Sequence, residues 1–323
     1  MKAIIVRDDG SLAWQDAHTP RCGAEEVIID VAAAGVNRAD LAQRAGNYNP
    51  PPGASDILGL EVAGRVAEKG AQVEGYDVGD RVCALLTGGG YAEQVAVPYQ
   101  LLLPMPDIWS FEQAAGVPEV FFTAFLNLFL EAGLQSGETA LIHAGASGVG
   151  TAAIQLAKHA GCTVYITAGS DTKTEFCRTL GADLAINYNE QDFADVIANE
   201  GEGTVDVVLD VVGEPYFERN IALLKPGGRL VFIATLGGKK VTLDIRQIMA
   251  KRLMLKGSTL RARPLGEKIR IKEALIEQFW PALQHGDIRP ILHKTFPIED
   301  AEQAHAMMRD NQNIGKIILK VRD

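Results

Sequence analysis

The 323-residue sequence predicts an α/β protein of two domains, a small β-barrel followed by a doubly wound parallel sheet. Three observations carry this. The chain is longer than one ordinary hydrophobic core supports. Its first third alternates short β-rich pieces with glycine turns at short intervals. From Pro118 onward, near-continuous apolar strands alternate with helical stretches, the pattern of a parallel sheet covered on both faces.

In the first part, MKAIIV, EEVIIDVAAAGV, LEVAGRVAEKG and YDVGDRVCALL are the expected strands. Turn signals at Gly23, Gly70, Gly79–Asp80 and Gly88–Gly90 divide them. In the second part, TALIH leads into a helix over 148–160, TVYITAG into one over 172–180, and ADLAIN into one over 190–199. VDVVLD leads into a helix over 214–224 and GRLVFIAT into one over 244–251, and LMLKGS closes the set. A helix over about 267–285 and a final strand, GKIILKV, follow; that strand is expected to pair back into the first domain. The expected domains are 1–118 and 119–258, with a return segment over 259–323.

Between Thr139 and Ala160 the chain reads TALIHAGASGVGTAAIQLAKHA: an apolar strand, a glycine-rich turn and a helix in direct succession. That is the arrangement in which a dinucleotide pyrophosphate sits. Gly145 allows the tight turn and Gly150 the close packing of helix on strand. Ser147 stands at the middle position of the G-x-G-x-x-G fingerprint, with Gly148 beside it; serine permits close approach and adds a hydroxyl donor. The N–H groups at Ser147, Gly148 and Val149 would face an anion with the helix dipole behind them. An NAD-selective site places an acidic residue at the end of the second strand, against the ribose 2′-hydroxyl. Here that strand ends in Ala168-Gly169-Ser170. Asp171 follows, but Ser170 or Asp171 reads as a helix N-cap. Lys173 is placed to give a charge-assisted bond to a phosphate. Missing acid and present base together favour NADPH.

Composition narrows the partners. With 41 acidic and 31 basic residues, the net charge of −10 argues against RNA or an anionic membrane as partner. The apolar run PEVFFTAFLNLFLEAG is broken by Asn127 and bracketed by Pro118 and Glu131, so it is too short to span a bilayer. The N-terminal MKAIIVRDDG lacks the plan of a signal peptide. Cys22, Cys83, Cys162 and Cys177 show no paired spacing, which fits reduced thiols in the cytoplasm. Small-molecule chemistry is the expectation.

The β-barrel-then-Rossmann order and the run HAGASGVGTAAIQLAK resemble the medium-chain dehydrogenase/reductase superfamily. GVNRADLAQRAGNYNPPPGASDILGLEVAGRV resembles the N-terminal signature of its quinone oxidoreductase branch, which includes zeta-crystallin-like proteins. QNIGKIIL resembles the C-terminal one, and the likeness runs from about residue 1 to 321. NYNPPPGAS and AGSDTK are similar to quinone reductases of the p53-inducible type. The resemblance implies a GroES-like catalytic domain. It also implies a homodimer joined through the strand around KRLMLKGS, a sheet edge open to strand addition. In the superfamily's alcohol dehydrogenases the first zinc cysteine aligns with Asn37, the histidine with Leu60, and the second cysteine near Val117 or Pro118. The four-cysteine loop is replaced by LLTGGGYAE. Glu61 alone remains near a ligand position and the six histidines are dispersed, so no metal is expected.

Alcohol oxidation without a Lewis acid loses its means of holding an alkoxide. A quinone is already electron-poor, so positioning it against a nicotinamide suffices, with the product phenolate protonated by solvent. The resemblance nominates Asn37 and Tyr48 as polar groups of the site. Asn37 would bond the nicotinamide ribose or the substrate carbonyl, or cap the helix RADLAQRAG. Tyr48 would donate to a carbonyl oxygen, or pack beside Pro50, Pro51 and Pro52. Glu119 and Arg261 are further polar groups, or an ion pair at the domain boundary. For the cofactor it implies Thr123 near the nicotinamide and Ala146, Ser147, Gly148 and Val149 on the pyrophosphate. Gly169, Ser170, Lys173 and Tyr188 would surround the 2′-phosphate and adenosine. Phe232, Thr235, Leu236 and Gly237 would end the fifth strand, with Ser258, Thr259, Leu260 and Asn313 at the nicotinamide end.

The expected function is NADPH-dependent reduction of a quinone without metal. The alternative enzyme is a 2-alkenal or enoyl-thioester reductase, in which a proton donor such as Tyr48 matters more. The non-enzymatic alternative is an NADPH-binding redox sensor. A polyketide synthase module is disfavoured because the sequence is a free-standing chain.

Overall fold

The computed structural model describes residues 1–322. The chain divides into two compact units, Met1–Phe122 with Arg261–Gln284 and Pro290–Asp323, and Thr123–Leu260 with His285–Arg289. In chain order the elements begin with β1 (Lys2–Val6), β2 (Leu12–Asp16), β3 (Glu26–Val36), α1 (Arg38–Arg44) and β4 (Glu61–Lys69). Next come β5 (Arg81–Leu85), β6 (Gln94–Pro98), β7 (Leu102–Pro104), α2 (Phe111–Ala115) and α3 (Pro118–Phe125), which runs into a π-turn over Leu126–Glu131. Then follow β8 (Thr139–Ile142), α4 (Gly148–His159), β9 (Thr163–Ala168), α5 (Asp171–Thr179), β10 (Leu184–Asn187), α6 (Phe193–Glu200) and β11 (Val205–Asp210). The chain continues with α7 (Phe217–Leu223), β12 (Leu224–Phe232), α8 (Ile245–Lys251), β13 (Met254–Gly257), α9 (Leu265–His285), β14 (Leu292–Pro297), α10 (Ala301–Arg309) and β15 (Lys316–Lys320).

In the first unit, a sheet runs in the order β14-β15-β3-β4-β5-β7, and β6 also pairs with β3. The eleven-residue β3 is its spine, antiparallel to β15, β4 and β6. Val27, Ile29 and Val31 recur at the period of two that puts them on one face, and all three are fully buried. They pack with Val62, Val82, Leu102 and Ile317 from the neighbouring strands. Each such side chain taken out of water contributes about 1.5–3 kcal/mol. The final strand does pair back into this unit, with Ile317 opposite Val36.

The second unit is a six-stranded sheet in the order β10-β9-β8-β11-β12-β13, every pair parallel. Strands β8 to β11 are apolar runs buried on both faces, as TALI of β8 shows, whereas the edge strand β13 is largely exposed. The strand order reverses beside β8, so the carboxyl ends of β8 and β11 flank the switch point where ligands of such sheets bind. The two edge strands are β10 and β13, and Met254 of β13 and Ile245 and Met249 of α8 are exposed.

The elements absent from the sequence reading are β2, β6, β7, α2, α3, β14 and α10. The strands are short, and β14 carries three exposed residues in a row, His293, Lys294 and Thr295, so its pattern is not that of a core strand. The helix expected over 190–199 starts at Phe193 because the Asp192 carboxylate caps it, accepting from Ala194 N–H at 2.8 Å. The one expected over 214–224 opens as a 3-10 turn, Glu214–Tyr216, and becomes α-helical only at Phe217.

A Cβ on Gly150 would lie 2.4 Å from Ala144 O and 2.5 Å from Gly145 O, both rigid backbone. Gly150→Ala is therefore expected to lower stability by about 1–3 kcal/mol through forced separation of α4 from the turn. Urea unfolding gives the stability, and nucleotide titration by fluorescence should show weaker binding.

Candidate active site

The glycine turn of the second unit is built as a close approach. Ala144 takes φ +55, and Ile166 Cβ would stand 2.7 Å from a Cβ on Gly145. Ser147 is the N-cap of α4, and its Oγ accepts from Gly150 N–H at 3.0 Å, leaving the hydroxyl proton for an anion. The Ser147 N–H itself goes to Ala144 O at 2.9 Å. Of the three backbone donors expected from sequence, Gly148 and Val149 therefore remain open among the described residues. A glycine cradle, two open N–H groups and a hydroxyl at a twelve-residue helix N-terminus fit a pyrophosphate. Ser170 caps α5 through Lys173 N–H, and the neighbouring Asp171 carboxylate is turned to Asn187 Nδ2 at 2.9 Å. The Tyr188 hydroxyl lies over Gly169, 2.6 Å from where a Cβ would be. Gly169, Ser170 and Tyr188 thus meet at the carboxyl ends of β9 and β10. Thr235, Leu236 and Gly237 are exposed beyond β12, held by Leu236 N–H on Val211 O and Gly237 N–H on Val212 O. Ser258 N–H bonds Phe232 O, and Leu260 is buried. Thr123 is half-buried, its carbonyl accepting from Asn127 Nδ2. Asn313 belongs to the first unit, where its Nδ2 donates to Gly315 O at 2.6 Å as a turn residue.

Sequence reasoning missed a buried network beneath this turn. His143 Nε2 meets Asn220 Oδ1 at 2.8 Å, and Asn220 Nδ2 donates to Asp210 Oδ2 at 3.2 Å. Since the Asn220 oxygen faces the ring, Nε2 carries the proton and Nδ1 accepts from Thr167 Oγ1 at 3.0 Å. Burial holds the His143 pKa below its ordinary value, so the imidazole is neutral. Asp210 Oδ1 in turn accepts from Val212 and Gly213 N–H. The network ties together the carboxyl ends of β8, β9 and β11.

In the first unit, Asn37, Glu61 and Lys316 form a buried node. Lys316 Nζ lies 2.6 Å from Glu61 Oε1 and donates to Asn37 Oδ1 and Val36 O, each at 2.7 Å. Asn37 Nδ2 donates to Glu61 Oε1 at 2.9 Å and to Gly35 O at 3.4 Å, and Glu119 N–H reaches Glu61 Oε2 at 2.8 Å. Both Asn37 amide hydrogens point inward. A ligand at Asn37 must therefore donate to Oδ1: a ribose hydroxyl satisfies this and a substrate carbonyl does not. Asn37 also occupies the N-cap of α1, where the Asp40 carboxylate accepts its backbone N–H at 2.8 Å. Among the described residues no three His, Cys, Asp or Glu side chains are placed to hold a metal ion.

Asp40, Tyr91 and His305 continue inward, all buried. Tyr91 donates to Asp40 Oδ2 at 3.0 Å, and His305 Nε2 meets the Tyr91 oxygen at 3.3 Å. Burial pushes the Asp40 carboxyl up to about 6, against the N–H groups of Asn37 and Gly59 that favour its charge. Burial pulls His305 down to about 4, and its Nδ1 has no partner to receive a second proton.

Tyr48 is half-buried, and Arg261 lies over its ring at 5.4 Å from the centroid. The phenol carries no hydrogen bond among the described residues; burial, then the Glu119 charge, raises its pKa, and Arg261 only partly offsets this. Arg261 is not ion-paired with Glu119. Its guanidinium donates to Thr87 O and Gln43 Oε1, both at 2.8 Å. Lys268, also buried, donates to Arg261 O at 2.6 Å. Glu119 keeps some exposure but is crowded by protein, and its pKa is pushed up to about 8. Burial is the largest cause and the Glu61 carboxylate the next. Lys316, Lys268, Asp40, Tyr91 and His305 were not singled out from sequence. The N-x-x-D spacing at Asn37 was a local signal for Asp40, and a lysine opening the apolar strand KIILK was one for Lys316.

Removing one partner of a buried pair leaves an uncompensated charge. Lys316→Met is expected to lower stability by about 3–5 kcal/mol, and adding Glu61→Gln should recover most of it, as read by urea midpoints. The pair Asp40 and His305 opposes itself in acid. His305 favours the fold above its ordinary 6.5 and loses that contribution as pH falls towards 4. Asp40 does the reverse, favouring the fold below 3.8 and losing it as pH rises through 6. Each effect amounts to about 3 kcal/mol. Asp40→Asn removes one of them, so between pH 6.5 and 4.5 the variant's stability should fall more steeply than the parent's.

Residues 148–277 match the zinc-binding dehydrogenase family, and residues 23–107 the alcohol dehydrogenase GroES-like domain. The quinone oxidoreductase of Rattus norvegicus is 31% identical over 329 residues, covering 99% of this chain and 97% of that protein. Polyketide synthase GfsB of Streptomyces halstedii is 35% identical over 310 residues, covering 96% of this chain, which spans 5% of the synthase's length. The quinone oxidoreductase from Thermus thermophilus, whose structure is described with its complex with NADPH, superposes with a TM-score of 0.84 at 33% identity. That alignment covers 99% of this chain and 100% of that one. CurK enoyl reductase superposes at 0.87 with 31% identity, covering 99% of this chain and 98% of that one. With near-full-length likeness to quinone oxidoreductases over a GroES-like unit and a Rossmann sheet, this chain belongs to the quinone oxidoreductase branch of the medium-chain dehydrogenase/reductase superfamily.

Proposed function

We propose that the protein is an NADPH-dependent reductase of quinones that works without a metal. The observation that carries this is Lys316: its ammonium already engages the Asn37 and Glu61 oxygens where the superfamily's alcohol dehydrogenases hold zinc. A divalent cation placed on those same oxygens would be repelled by that charge. The chemistry that remains suits an acceptor electron-poor enough to need no Lewis acid.

The cofactor preference rests on the second unit. Asp171, the acid nearest the end of β9, is committed to Asn187, while the Tyr188 hydroxyl lies over Gly169 and Ser170 caps the helix that carries Lys173 in its first turn. Hydroxyls and an ammonium suit a 2′-phosphate better than a bare ribose. When bound, the reduced nicotinamide supplies hydride. The first unit contributes Tyr48, whose unengaged hydroxyl donates to the acceptor's oxygen, with Arg261 across its ring as the nearest positive charge.

A second reading, reduction of a 2-alkenal or enoyl thioester, is favoured by the likeness to CurK enoyl reductase. Initial rates of NADPH and NADH oxidation with an ortho-quinone, a para-quinone and a 2-alkenal separate the two. Quinone turnover with at least tenfold preference for NADPH, about 1.4 kcal/mol of discrimination, is expected. Tyr48→Phe should lower quinone turnover a few-fold and alkenal turnover far more. Turnover confined to the alkenal would assign the second reading, and preference for NADH would remove the Lys173 argument.

A further inference from the structure

Hydride transfer adds one hydrogen and two electrons, so the reduced acceptor is left with one negative charge that a further proton must neutralise. We propose that Glu119 is the general acid that supplies this proton, an assignment that rests on the reductase reading above. The groups facing it are Glu61 from β4, Asp40 from α1, Lys316 from β15, Lys268 from α9, and Tyr48 with Arg261.

The cations can be set aside first. Lys316 gives its ammonium to three oxygens, and Lys268 is buried against Arg261 O. Tyr48 is a hydrogen-bond donor that keeps its proton at neutral pH, since burial opposes phenolate formation. Two glutamates remain, in contact through the Glu119 N–H on Glu61 Oε2. Glu61 is wholly buried and pinned as a carboxylate by Lys316, the Asn37 amide and that N–H. Glu119 has no hydrogen bond to its carboxyl among the described residues, and it keeps some exposure. Two glutamates whose surroundings differ this way divide the roles: the one whose carboxyl already accepts from three donors is committed to them, and the unpartnered one is free to hold and give a proton. In the step, the Glu119 O–H bond breaks and its proton goes to the quinone oxygen, or to the enolate of a reduced alkenal. Water then reprotonates the Glu119 carboxylate. Its proton is available up to about pH 8, which covers neutral conditions.

The test compares the full chain with Glu119→Gln and Glu119→Asp. Infrared difference spectra are recorded against pH without cofactor or acceptor, and kcat is profiled from pH 6 to 10. The parent should lose a protonated-carboxyl band with a midpoint near 8 that the Gln variant lacks. Glu119→Gln should bind NADPH like the parent and be at least as stable in urea near neutral pH, since a neutral amide replaces a buried carboxyl whose folded pKa is raised, yet lose at least tenfold in kcat, in line with general acid catalysis, together with the alkaline limb. Glu119→Asp should recover part of the rate and restore a limb. Parent-like kcat and pH profile in Glu119→Gln, or no such band in the parent, would overturn the assignment. Absence of turnover with every quinone and alkenal would instead overturn the reductase reading and this role with it, an outcome distinct from an active enzyme indifferent to Glu119.

Discussion

The Lys316 ammonium, taken out of water at the start of the last strand, sets the arrangement of everything around the candidate site of the first unit. Burying a charge costs several kcal/mol unless every donor finds an acceptor, and here three oxygens provide it: Val36 O, Asn37 Oδ1 and Glu61 Oε1. Those three fix the end of β3, the start of α1 and the start of β4 relative to β15. The Glu61 carboxylate then receives Glu119 N–H and so positions the first turn of α3. Gly35 is part of the same constraint, since a Cβ there would stand 2.3 Å from Glu61 Oε1. One charge thus ties together segments almost 280 residues apart in sequence.

The chemistry follows from how that charge is shared. Lys316 compensates one carboxylate, and Glu61, wholly buried with three donors, is the one that takes it. Glu119 and Asp40 are left to carry the consequence, and burial moves both upward. Asn37 is reduced to an acceptor because its two amide hydrogens are spent inside. In this node an internal cation and the unequal solvation of neighbouring acids set the arrangement.

The second unit reaches order by a different route. Its strands β8 to β11 are generic apolar runs, and what is particular to it lies at their carboxyl ends. The neutral His143, in a tautomer settled by Asn220 and Thr167, joins the ends of β8, β9 and β11 under the glycine turn. Ser147 shows the same economy: its oxygen caps the helix while its proton stays available.

The sequence by itself determined the two-part architecture, the parallel sheet and the glycine turn. These rest on local rules, namely hydrophobic period, turn chemistry and the need for a Cβ-free backbone at Gly145 and Gly150. Family resemblance nominated Asn37 and Tyr48, with Glu119 and Arg261 as further polar groups beside them. Short or half-exposed elements such as β14 and α10 were illegible, because too few of their residues face the core to impose a period. Tertiary structure alone decided which polar groups meet. No spacing rule pairs Lys316 with Asn37, or His305 with Tyr91, or turns Arg261 onto Tyr48 rather than Glu119. Those pairings come from strand register and burial, and burial is what converts an ordinary glutamate into one that holds its proton.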